Sequence, residues 1–131
     1  MKTAVNTKKG VLVKFYPNFE MVRVGVVEVE TEDDNLKKYR ELINADMIDI
    51  ARFDDEFDIV VDDEGLLVEG NPVFDIQTQY GRIQLAGNLL FLKKEIDEDG
   101  VSLVGMETEE AFELMTKLEG KMNVIGVTRG L

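Results

Sequence analysis

The sequence predicts a single α+β domain, an antiparallel or mixed β-sheet built from hairpins with two amphipathic helices packed on one face. Three observations carry this. Short apolar segments of period two, separated by turn-forming clusters, recur along the chain as they do in hairpins. Two segments instead follow helical spacing, one with Leu36, Tyr39, Leu42 and Ile43, the other with Ala111, Leu114, Met115 and Leu118. Within the run at residues 80–94, Leu89-Leu90-Phe91-Leu92 is apolar on both faces of an extended strand, so it belongs in the middle of a sheet covered on both sides. The 131 residues make one domain, with residues 1–9 and 129–131 expected to fray.

Residues 11–16 alternate well enough to form a strand, and Pro17-Asn18 is a turn signal. The return strand spans residues 20–30. Val22, Val24 and Val26 share one of its faces before the apolar phase passes to Val27 and Val29, a slip that a β-bulge beside Gly25 would produce. Thr31-Glu32-Asp33-Asp34 has capping-box spacing, a hydroxyl followed three residues later by a carboxylate. The helix it opens carries Lys37, Lys38, Arg40 and Glu41 opposite its apolar side and ends at Asn44 or Ala45.

Residues 47–53 and 57–61 form a second hairpin around Asp54-Asp55-Glu56. Phe57, Ile59 and Val61 point to one face, and Asp58, Val60 and Asp62 to the other. The turn Asp62-Asp63-Glu64-Gly65 follows, with Gly65 free to take a positive φ. Residues 73–80 are extended or an irregular crossing. The run at 80–94, broken at Gly81 and Gly87, then closes at Asp97-Glu98-Asp99-Gly100. Thr108 is the expected cap of the second helix, with Glu109 and Glu110 at its positive end, Lys117 in the last turn and Gly120 as the stop. Residues 122–128 can form a terminal strand.

Composition narrows the chemistry. Cysteine and histidine are both absent, which removes disulfides, thiolate catalysis, the usual general base near neutral pH and the commonest metal ligands. Ser102 is the lone serine and has no histidine to activate it. The expectation is a protein that is not an enzyme and needs no cofactor and no metal. No apolar run approaches the roughly 20 residues of a membrane span, and residues 1–9 lack the apolar segment of a secretory signal, so the expected location is the cytoplasm. A net charge of −12 repels nucleic-acid phosphates and attracts basic partners.

Two groups are candidate binding residues. Asp54, Asp55, Glu56, Asp58, Asp62, Asp63 and Glu64 form the densest acidic segment, interrupted by no basic residue. Their spacing fails as a calcium loop, since it lacks alternate oxygen ligands about a central glycine and a closing glutamate. As a surface for a basic protein they would serve, although two hairpin turns collect acids for solubility alone. Tyr80, Gly81 and Arg82, with Asn71, form the second group. On an extended strand the Tyr80 ring and the Arg82 guanidinium would share a face, able to stack on a base and clamp a phosphate. The plainer alternative is a loop entering a core strand, with Arg82 solvated.

The order of several segments resembles a family of small proteins of unknown function found mainly in bacteriophages and mobile elements of bacteria. The segments are Gly10-Val11-Leu12-Val13-Lys14, the helix at 36–43, Met47-Ile48-Asp49-Ile50 and Ile59-Val60-Val61-Asp62-Asp63-Glu64-Gly65. Asn71-Pro72, residues 83–92, Ser102-Leu103-Val104 and the helix at Glu109 complete the order. The likeness covers residues 10–118, and the Glu64-Gly65 turn and Asn71-Pro72 are its most specific points. It implies an accessory role in anti-defence or host takeover, exercised by binding, and assigns no catalytic residue. The expected partner is a phage or host protein with a basic surface that handles nucleic acid, with no direct contact to nucleic acid or membrane. A small nucleotide signal held by Asn71, Tyr80 and Arg82 at an interface between copies of the chain is the alternative. A structural or regulatory module with no anti-defence role is a further one.

Overall fold

The computed structural model describes residues 7–30 and 36–129. Strands β1 (Thr7–Tyr16) and β2 (Met21–Glu30) form the first hairpin around a 3-10 turn at Pro17–Phe19, closed by Glu20 in the left-handed region at φ 48. Residues 7–9, expected to fray, belong to β1. No bulge occurs at Gly25, because pairing runs unbroken from Tyr16↔Met21 through Leu12↔Gly25 to Thr7↔Glu30. The valine phase changes for another reason. Val22 and Val26 pack into one layer with Val11 and Val13, whereas Val27 and Val29 serve the opposite layer.

Helix α1 (Leu36–Ile43) buries Tyr39 and Ile43 and ends at Asn44, whose φ of 57 suits a left-handed cap. The capping box at residues 31–34 lies outside the described residues. Strands β3 (Ile48–Arg52) and β4 (Phe57–Asp62) make the second hairpin, followed by β5 (Pro72–Thr78) and β6 (Gly81–Ala86). After them come β7 (Leu89–Asp97), β8 (Gly100–Val104), α2 (Thr108–Leu118) and β9 (Met122–Val127). Strand β8 was not expected; with Val101 and Ser102 exposed and only Leu103 and Val104 half-buried, it carries too short an apolar signal.

Every strand pairing among the described residues is antiparallel. One sheet runs β2-β1-β7-β4-β3 with β8 beside β7; the other runs β6-β5-β9. The apolar run at 80–94 is therefore two strands in two sheets, parted where Gly87 takes φ 94. Its Leu89–Leu92 portion is the centre of the larger sheet, and all four side chains are fully buried.

The helices do not share a face. Tyr39 and Ile43 of α1 pack with Val60, Leu90 and Leu92, while Ala111, Leu114 and Leu118 of α2 pack with Val11, Val13, Ile59 and Phe91. Alternation along β4 and β7 puts those two sets on opposite sides of the sheet. Phe74 and Ile76 of β5 share the α2 side, so α2 and the small sheet cover that face together and α1 covers the other. A central strand apolar on both faces requires both covers.

Gly65 is not in the positive-φ region expected of it. It is buried, and a Cβ there would drive into the Ala86 carbonyl. Gly65→Ala should lower unfolding free energy by about 1–3 kcal/mol, the scale of overpacking. Urea denaturation checks this, and an unchanged midpoint would mean that the two segments are not in contact.

Candidate functional site

The seven acidic candidates do not form one surface. Asp54 and Asp58 are buried and structural. Asp54 accepts hydrogen bonds from the backbone N–H groups of Glu56 (2.8 Å) and Phe57 (2.7 Å), and its other oxygen lies 3.1 Å from Lys117 Nζ. Asp58 faces Lys94 at 3.2 Å, each side chain 10% exposed. Asp55 is exposed at the same end of β4, where the hydrogen bond from Gln79 and then that from Tyr80 hold its carboxyl below the usual carboxylate range. Asp62, Asp63 and Glu64 stand at the other end of β4, with Asp62 accepting from the Glu64 N–H at 2.9 Å. A strand of this length separates the two turns by about 20 Å.

The nucleotide clamp is not assembled. Tyr80 sits in the turn before β6, and Gly81 takes φ 124, so Tyr80 and Arg82 are not successive same-face positions of one strand. Arg82 is ion-paired to Asp75 across β5 and β6. The Tyr80 ring is covered by the Arg52 guanidinium, 4.2 Å from its centroid. Asn71 is committed elsewhere, its side-chain amide donating to the Gly65 carbonyl at 2.9 Å and its backbone N–H donating to the Thr128 hydroxyl oxygen at 2.9 Å. All three residues are therefore satisfied by this chain's own groups.

What the fold does assemble is an acidic hairpin with an apolar centre. Pairing of β7 with β1 stops at Phe91 and with β4 at Lys93, so among the described residues, positions 95–97 are paired with β8 alone. Opposite one another on this projecting piece stand Ile96, 73% exposed, and Val101, 62% exposed. Glu95, Asp97, Glu98 and Asp99 are exposed next to them, Glu95 and Asp97 on the opposite face of the hairpin. The Glu56 carbonyl accepts the Lys94 N–H at 2.8 Å, which adds the exposed Asp55 and Glu56 to the same end. The sequence signal was present in Asp97-Glu98-Asp99, but it read as turn chemistry only.

Beside this hairpin, a cleft of about 640 Å³ is bordered by Lys8, Lys93, Met106, Glu107 and Glu110. Glu107, not Thr108, caps α2: its side chain takes the Glu110 N–H while Glu110 takes the Glu107 N–H. The longer glutamate side chain reaches forward to the Glu110 N–H from the position before the expected one, and Glu110 reaches back. Lys93 Nζ lies 2.7 Å from Glu110, and that hydrogen bond holds Glu110 below and Lys93 above their ordinary values. Both are charged at neutral pH, so the pair offers neither a neutral amine nor a protonated carboxyl for proton transfer. Because the folded pKa of Glu110 is depressed, its contribution is present above the unfolded value of about 4.3 and is lost as pH falls through the folded one. Denaturation at stepped pH from about 6 to 3 should show Glu110→Gln losing less stability than the parent across that window. Parallel pH profiles would mean that the ion pair contributes nothing.

Among the described residues no group of three or more acidic side chains is arranged to hold a metal ion. No helix among them is long and apolar enough to cross a membrane.

The fold and its surfaces define a small α+β domain of two antiparallel sheets with an acidic hairpin projecting from the larger. The chain belongs to the family described as Domain of unknown function (DUF3846), whose family model matches residues 18–117, from the first hairpin turn into the last turn of α2. No curated protein matches the chain, and no solved structure does.

Proposed function

We propose that this protein is a non-catalytic binding module that docks on a basic surface of another protein through the outer half of the β7–β8 hairpin. The carrying observation is the exposed Ile96 and Val101 pair on a hairpin that also exposes Glu95, Asp97, Glu98 and Asp99, with Asp55 and Glu56 exposed at the same end of the sheet. An apolar centre with a charged rim is the anatomy of a protein interface, the centre supplying affinity and the rim steering encounter. Carboxylates presented this way suit a groove that otherwise holds phosphates. The finer reading is thus an accessory protein of phages or mobile elements, acting in the cytoplasm against a nucleic-acid-handling host protein. The acidic partner surface of this reading is the hairpin end with Asp55 and Glu56, in place of the whole segment at residues 54–64.

Tagged protein should retain a basic protein from a lysate of the cells that encode it. Retention should weaken with salt as the Debye length falls from about 10 Å at 0.1 M. The double variant Ile96→Ser with Val101→Ser, and the triple variant Asp97→Asn, Glu98→Asn and Asp99→Asn, should each lower affinity about tenfold or more, a difference of about 1.4 kcal/mol. Their melting temperatures should stay near that of the parent, since these side chains are exposed. Equal retention by the parent and both variants would remove the hairpin as the docking surface.

A further inference from the structure

Lys14 of β1 and Arg23 of β2 stand directly opposite one another. Like charges in that position repel and destabilise an antiparallel pair. Neither has a carboxylate within ion-pair reach among the described residues, a condition they share with Lys37, Lys38, Arg40 and Lys121, whereas Lys8, Lys9, Arg82, Lys93, Lys94 and Lys117 are paired. In a chain with 27 acidic against 15 basic residues, two cations held opposite one another on paired strands concentrate positive charge at one place.

The two cations border a hollow of about 240 Å³ walled by Leu12, Tyr16 and Val27 and floored by Gly25. Lys14 Nζ lies 5.3 Å from the Tyr16 ring centroid, close enough for a cation–π contact that orients the ammonium. Gly25 is the second, independent observation. It lies mid-strand, outside the positive-φ region, and a Cβ added there would meet nothing within 4 Å. Neither backbone nor packing demands glycine, and glycine weakens a strand interior. Its effect is to leave the floor beside the cation pair, opposite Leu12, open. Charged residues on an outer strand such as β2 also guard against edge pairing, but a guard needs no hollow beneath it.

We propose that this hollow binds a phosphate-bearing ligand of mononucleotide size. The phosphate sits between Lys14 Nζ and the forked Arg23 guanidinium, and the flat base lies over Gly25 against Leu12 and Val27. The volume falls short of the roughly 300–1,000 Å³ of larger ligand pockets, so a bigger molecule would overhang. The site is remote from the acidic hairpin. Phe15, between Lys14 and Tyr16 in β1, donates its backbone N–H to Asn88 Oδ1 at 2.7 Å, beside the opposite end of β7.

Calorimetric titration of the full chain with AMP, inorganic phosphate and adenosine tests this. AMP should bind, phosphate more weakly, and adenosine not measurably. Arg23→Gln should lower AMP affinity about tenfold or more, the scale of a lost charged hydrogen bond. Gly25→Val, which fills the floor, should do the same without lowering the melting temperature, because valine favours a strand. A glycine kept for folding would give the reverse, a lowered melting temperature with AMP affinity intact, and that would overturn the proposal. So would the absence of AMP heat from the parent, phosphate binding as tightly as AMP, or adenosine binding as tightly as AMP.

Discussion

Leu90→Ala and Phe91→Ala are each expected to destabilise the domain by about 2–5 kcal/mol, with Phe91→Ala toward the upper end. The two side chains are adjacent in β7, fully buried, and point to opposite faces. Leu90 stands between Leu12 of β1 and Val60 of β4, in the cluster that α1 covers. Phe91 stands between Val11 and Ile59 and meets Phe53 edge-to-face, with centroids 5.4 Å apart and planes at 86°. Truncating either leaves a cavity that strands paired on both sides cannot readily close. Since domains of this size are stable by about 5–15 kcal/mol, each loss is a large fraction. Chemical denaturation measures both. A severe Phe91→Ala with a mild Leu90→Ala would show that α1 does not seal its face, and two mild variants would displace β7 from the centre.

Asp58→Ala is expected to cost about 3 kcal/mol or more, because it strands a buried cation. Lys94 keeps one partner, the Asp54 carbonyl at 2.7 Å, which sets the cost at the lower end of the range for broken buried pairs. Replacing both members, Asp58→Leu with Lys94→Met, should recover most of the loss, since the pair's desolvation penalty disappears with its attraction. A double-mutant cycle separates that coupling from the effect of each substitution. A loss below about 1 kcal/mol from Asp58→Ala, ordinary for an exposed acid, would return Asp58 to the surface, where its place in an acidic run had suggested it belonged.

The contrast between Asp58 and Asp97 shows how far the residues could be read in order. Both sit in acid-rich stretches next to apolar strands, and composition treats them alike. Pairing separates them: Asp58 is opposite Leu92 on the face of the sheet that α1 packs against, while Asp97 is at the end of β7, where among the described residues β8 alone pairs with it. Tyr80 and Arg82 teach the same lesson. Their two-residue spacing implied a shared face, but Gly81 turns the backbone between them, and Asp75 on the neighbouring strand takes the guanidinium.

By itself the sequence determined the local elements: the β1–β2 and β3–β4 hairpins, both helices, and a strand at Leu89–Leu92 that had to lie at the centre. Apolar period and turn chemistry act over a few residues and leave their mark in order along the chain. Only the tertiary structure decided that residues 80–94 divide between two sheets, that the helices take opposite faces, and that β8 leaves Ile96 and Val101 exposed. It alone set Lys14 against Arg23 beside an open glycine. Those outcomes depend on which distant strands pair and in what register, and a one-residue change of register moves every side chain to the other face.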